Sequence, residues 1–280
     1  MFQKILSPED KVNRIIANLS VVERKIDKIH SRGIPKGFDD MRNLGDVLKA
    51  GPSLSRTNTR TLVEGCNTSS QRPKTMEYAH SSMVASLEYS KTFEFSKKLD
   101  IEERMTLAKY VTAICSNMWN AYFTLSNYQS DRLILPDGTE AGANMHGFED
   151  YVKDSEILQR TLRLFLRNRI NRIEYMLLKA IIMCNPTVSS LSSGTQAILE
   201  AERQNYAFCL LRYCQIQHGS TGGPARYAEL LAMVPNMEFE VQRQKSFHAY
   251  MNTVVSTSGS QYHQLVPFVL TNLFDEVLGA

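Results

Sequence analysis

The sequence predicts an all-α, single-domain fold. Apolar residues recur at helical spacing through most of the chain. Proline and glycine punctuate that spacing at Gly33 and Pro35, Asn185-Pro186, Gly219 to Pro224 and Pro235. One short run alone has strand character, Arg132-Leu133-Ile134-Leu135, and it ends in a Pro136-Asp137-Gly138 turn. A chain of 280 residues with 43% apolar content can bury one substantial core.

The first helix starts at Ser7-Pro8-Glu9-Asp10, with a capping serine, a proline at the first helical position and acid in the first turn. Val12, Ile15, Ile16, Leu19, Val22, Ile26 and Ile29 give it one apolar face. Residues 34–75 lose the periodicity and gain Gly, Pro, Ser, Thr and Asn. They read as an irregular or mobile segment with a short helix near Asp46 to Lys49 and no evident chemistry. Helices then run from Met76 to about Lys98, from Ile101 to about Ser126, and over 149–167, 169–184, 193–218, 222–234, 238–255 and 266–278. The organisation is a first helix at 1–33, the irregular segment at 34–75, a helical body at 76–264 and a C-terminal helix at 265–280.

Composition excludes several function classes. A net charge of +3 is too weak for a nucleic-acid surface, so this chain is expected to make no direct DNA contact. No apolar run reaches membrane-spanning length, and residues 1–10 lack a signal-peptide core. Cys66, Cys115, Cys184, Cys209 and Cys214 are odd in number and scattered, which reads as buried thiols rather than disulfides or a zinc site. The six histidines are dispersed, with no H-E-x-x-H string, and Gly219 to Gly223 lacks the Lys-Ser/Thr of a phosphate loop. No catalytic residues and no metal site are expected.

The residues nearest the C-terminus suggest a binding site. On a helix, Leu273 and Val277 share one face, as do Phe274 and Leu278, and Glu276 sits at the edge. Upstream, Leu87 and Lys91 lie one turn apart, and so do Met105 and Lys109. Two adjacent helices plus the terminal one would form an apolar groove, positive at one end and negative at the other. An amphipathic helix fits such a groove by apolar residues at i, i+3 and i+4. Its free N-terminal N–H groups favour Glu276, and its C-terminal carbonyls favour Lys91, with Lys109 as a peripheral contact.

Several strings, in order, resemble the ligand-binding domain of nuclear hormone receptors. Leu87-Glu88-Tyr89-Ser90-Lys91, Phe95-Ser96 and Leu99 to Lys109 are similar to the family signature around its third and fourth helices. Glu174 to Ile181 with Asn185-Pro186 resembles the eighth helix, and Arg226-Tyr227-Ala228-Glu229-Leu230-Leu231 the tenth. Residues 273–278 resemble the activation helix. The long 34–75 segment and the Leu135 to Gly138 turn are similar to the divergent receptors expanded in nematodes.

The resemblance implies a three-layer helical sandwich of about ten to twelve helices with one small β-hairpin. It implies a nuclear location, transcription regulation, and a groove of Leu87, Lys91, Met105, Lys109, Leu273, Glu276 and Val277 for leucine-rich coactivator or corepressor helices. A pocket for a lipophilic ligand such as a fatty acid or steroid is expected from Ser82, Met83, Ser86, Met118, Trp119, Phe123, His248, Met251 and Val255. Glu174 and Arg226 are expected to pair between helices, and the region of the tenth and eleventh helices to form a homo- or heterodimer face. The alternative is a ligand-independent scaffold or repressor with the same fold and a filled pocket. The sequence holds no zinc-finger cysteine pattern, so the chain is expected to be either a fragment cut from a longer receptor or a receptor lacking its DNA-reading module.

Overall fold

A computed structural model describes residues 7–32, 43–50, 74–143, 156–257 and 268–279. Most of the expected irregular segment, Cys66, the start of the helix expected at 149 and the side chain of Val255 lie outside the described residues. The described residues form α1 (Pro8–Arg32), α2 (Leu44–Lys49), α3 (Lys74–Ser90), a 3-10 turn (Glu94–Lys97), α4 (Ile101–Asn127), α5 (Arg160–Asn168), α6 (Arg172–Met183), α7 (Ser193–Leu231), α8 (Val234–Thr257) and α9 (Phe268–Leu278).

Helix α4 is the axis of the packing, in contact with α2, α3, α5, α6, α8 and α9. Its middle is correspondingly apolar: Val111, Ile114, Cys115, Met118 and Ala121 are buried. Asp100 starts it by accepting from the Glu103 N–H at 2.8 Å, and so satisfies one of the helix's free donors. α1 and α7 cover the far side, with α1 against α3, α6 and α7. A buried ion pair fastens α1 to α6, Lys179 Nζ to Glu23 at 3.0 Å, and the same ammonium sits over the Tyr89 ring. Breaking such a pair from one side leaves a charge without its counter-ion in the core.

Two elements differ from the sequence expectation. The helix expected to reach Lys98 ends at Ser90. The Ser90 and Thr92 hydroxyls bond back to the Leu87 and Tyr89 carbonyls and compete with the backbone ladder, while Phe93 turns inward against Tyr89 and Phe95 packs on Phe93. The hairpin shrinks to one antiparallel bridge, Ile134 with Glu140, closed around Gly138 at φ +85°. The α7 span holds the two helices expected at 193–218 and 222–234, divided at Gly219, whose φ of 78° and ψ of 177° are not helical. Past the bend, the Gly223 backbone lies so close to Cys214 and Gln215 that a Cβ there would stand 2.5 Å from the Gln215 Cα. No helix among the described residues is long and apolar enough to cross a membrane.

Candidate functional site

A trough runs between α3, α4 and α9, and α2 lies in it. Leu87 of α3 and Leu273 and Val277 of α9 are buried in the same core cluster as Leu44, Val47 and Leu48 of α2. Met105 of α4 packs beside them, its Sδ 3.6 Å from where a Cβ on Gly45 would stand.

Both ends of α2 meet charge. The Glu276 carboxylate accepts from the Leu44 N–H, the first helical amide of α2. At the other end Lys91 Nζ donates to the Ala50 carbonyl at 3.1 Å and pairs with Glu88. Arg104 Nη1 reaches the Leu48 carbonyl at 3.5 Å. First amides and last carbonyls of a helix have no partners within it. A carboxylate at one end and cations at the other therefore fit both hydrogen bonding and the helix dipole. Lys109 is half-buried further along α4, and the described bonds to the α2 carbonyls come from Lys91 and Arg104.

On the other flank of α9 lies a cavity of about 90 Å3. Met83, Leu133, Leu135, Phe247 and Met251 give it apolar walls, and Phe274 and Leu278 of α9 close one side. Ser116, Asn117, Asn120, Gln244 and His248 add polar groups. Asn117 and Gln244 exchange amide hydrogen bonds at 2.8 and 3.2 Å. His248 Nε2 contacts Asp275 Oδ1, and Asn252 donates to the same oxygen at 3.0 Å, so a cavity residue holds α9 directly. The Phe274 ring stands 6.4 Å from both His80 and His248.

Of the pocket residues expected from sequence, Met83, His248 and Met251 line this cavity. Ser82 and Ser86 are buried one layer behind: the Ser82 hydroxyl shares a hydrogen bond with Ser116, and Ser86 donates to the Ser82 carbonyl at 2.8 Å. Met118 is fully buried and is not part of the lining. Trp119 faces α1, where its Nε1 donates to Asp27 at 3.2 Å, and Phe123 stacks on it. Met118 and Trp119 lie two and one residues before the lining Asn120, about 200° and 100° round the helix, which aims them elsewhere.

Glu174 is buried and does two jobs. It closes a capping box with Asn171 at the start of α6, and it takes both prongs of the Arg226 guanidinium at 2.8 Å. That fork ties α6 to the segment of α7 beyond its bend. Cys115, Cys184, Cys209 and Cys214 are buried free thiols, and burial pushes Cys115 up to about 12.

Residues 67–253 match the model of the ligand-binding domain of nuclear hormone receptor. The chain belongs to that family. Nuclear hormone receptor family member nhr-154 of Caenorhabditis elegans is 42% identical over 88% of this chain and 54% of its own length. Member nhr-136 of the same nematode is 38% identical over 99% of this chain and 63% of its length. The receptor domain thus spans between half and two thirds of these relatives and is of the divergent nematode type. The Ultraspiracle ligand binding domain from Drosophila melanogaster shares the fold, with a TM-score of 0.52 and 21% identity over 74% of this chain and 79% of that one. Members of the family are receptors, not enzymes. The matched residues stop before α9, so the trough's acidic end rests on geometry alone.

Sequence reasoning placed a short helix near Asp46 to Lys49 but not its seat in the trough, and it missed Arg104 and the contact of Asp275 with His248. The signal for α2 was present: Leu44, Val47 and Leu48 have the i, i+3, i+4 spacing expected of a guest helix. The other two depend on long-range packing that spacing does not carry.

Proposed function

We propose that this receptor domain regulates transcription in the nucleus by offering the α3, α4 and α9 trough to leucine-rich helices of coactivators or corepressors. The single observation that carries the reading is the way Glu276 and Lys91 grip opposite ends of a short helix packed on α3, α4 and α9 beside Met105. Apolar side chains supply most of the affinity in such a site, and the charges set polarity and register. α9 is the switch. A ligand in the cavity touches Phe274, Leu278 and His248, and it shifts α9 only by its differential affinity for the docked and released states.

At about 90 Å3 the cavity is well below the roughly 300–1,000 Å3 of small-molecule sites. That supports the ligand-independent reading for this state: side chains fill the pocket, and a fatty acid or steroid enters only by widening it. Exposed Phe239 and Tyr250 on α8 support a dimer face there.

The test is a fluorescence-anisotropy titration, carried to saturation, of a labelled Leu-x-x-Leu-Leu helical peptide. Glu276→Lys is expected to weaken binding by more than tenfold without changing the circular dichroism spectrum. Unchanged affinity would overturn the trough assignment. Native mass spectrometry of protein purified from cell extract tests the pocket, with a retained lipid favouring the ligand-driven switch.

A further inference from the structure

We propose that α2 is an internal ligand of the trough, a built-in imitation of the partner helix that keeps the site closed until a stronger helix displaces it. The proposal rests on the trough reading above and adds what regulates it.

Four observations converge on α2. Its apolar residues Leu44, Val47 and Leu48 are at most 3% exposed, while Asp46 and Lys49 on the opposite side face solvent. It engages by one face, as a guest helix does. Its two ends are bonded by opposite charges, Glu276 of α9 and Lys91 just past the end of α3. Arg104 of α4 adds a third contact, to the Leu48 carbonyl. Finally, α2 has only six residues and carries Gly45 in its first turn. A helix that short does not hold together alone in water, so the trough supplies its stability. The Asn43 cap, accepting from the Asp46 N–H at 2.8 Å, is its main internal aid.

Tethering makes a weak motif effective. A segment in the same chain meets the trough at a local concentration on the order of millimolar. An intrinsic dissociation constant of ~0.1 mM would then suppress partner binding roughly tenfold. The imitation is also imperfect. Val47 stands where a partner could place leucine, and the extra methylene favours the partner roughly fourfold. The device sets a threshold and leaves the site available to strong or locally concentrated partners.

The experiment compares the whole chain with a Leu44→Ser/Leu48→Ser variant, using the labelled Leu-x-x-Leu-Leu peptide. The variant is expected to bind at least tenfold more tightly, and adding Glu276→Lys to it should erase the gain. Equal affinity of the two chains would overturn self-occupancy and leave the trough reading intact. An absence of binding by either chain at any concentration would overturn both. Hydrogen exchange on the unmodified chain gives a measurement independent of the variant's folding. Saturating peptide is expected to release the protected amides of Leu44, Val47 and Ala50. Protection that stays unchanged with peptide bound would sink the proposal.

Discussion

On its trough side, α9 contributes the Glu276 carboxylate to the first amide of α2, with Leu273 and Val277 buried behind it. On its cavity side it contributes the Phe274 ring, Leu278 and the Asp275 carboxylate that meets His248. The two sides are held differently. The trough holds α2 by an apolar row and by charge at both ends. The cavity is small, mixed in polarity and closed by one ring. What α9 gains on one side it can pass to the other, because the two rows lie only about 100° apart on the same helix. On the proposed function, the difference teaches where control would enter: competition between helices at the trough, and small-molecule or packing changes at the cavity.

The largest expected effect comes from the trough's basic end. Lys91 is 6% exposed and sits beside the Glu88 carboxylate, itself 1% exposed. Lys91→Ala removes the ammonium and is expected to cost about 3–5 kcal/mol in urea denaturation. Glu276→Gln, by contrast, keeps an acceptor and should cost about 1 kcal/mol or less. Similar losses for both would break the picture of one buried and one adjustable end. Nearly as large is Phe274→Ala, expected to cost about 3–5 kcal/mol. It enlarges the cavity, and hydrogen exchange should show α9 opening from both sides at once. An α9 that stays protected would mean that the trough side alone holds it.

The helical body and both charged ends of the trough were legible in the sequence because they depend on local spacing. Glu276 and Lys91 each sit at the edge of an apolar row, and periodicity alone shows that. A short helix near Asp46 to Lys49 was legible, but its place as occupant of the trough was not. Gly45, Gly51 and Pro52 mark the surroundings of α2 as loop, and six residues carry too short a period to show that one face docks elsewhere. Arg104 precedes Met105 by one residue, so a count by whole turns selected Lys109 instead. The orientations of Trp119 and Phe123 were missed for a related reason. α4 is buried nearly all round, and a helix without a polar side gives no clue to which neighbour each residue meets.

A pH series separates the two sides of α9. Glu240 of α8 is buried between Arg160 at 3.2 Å and Arg243 at 3.9 Å. Burial pushes its carboxyl up to about 7, and the two guanidiniums only partly oppose that. The folded chain then binds more protons than the unfolded chain between about 4.5 and 7. This contribution to stability is complete below 4.5 and is lost as the pH rises through 7, at most about 3 kcal/mol. Glu240→Gln is expected to flatten that slope in urea denaturation at pH 5 and pH 7.5. Because Glu240 lies on the helix that carries His248, the pH effect should appear in the protection of α8. Trough affinity for a labelled peptide should hold steady over the same range. A peptide affinity that follows the Glu240 titration would show the two sides to be coupled through α8.

The smallest expected effect is also the most specific. Asp275 is 42% exposed, so its contact with buried His248 is partly screened by water. Asn252 donates to the same oxygen at 3.0 Å and would survive the loss of the imidazole. His248→Ala is therefore expected to cost about 1 kcal/mol, enough to raise the released fraction of α9 several-fold. A released α9 withdraws Glu276 from α2. The same variant should weaken peptide binding by a few-fold and speed exchange of the Leu44 amide, although His248 touches neither. Faster exchange confined to α8 and α9, with Leu44 unchanged, would place His248 in the cavity wall alone and remove the link between cavity and trough.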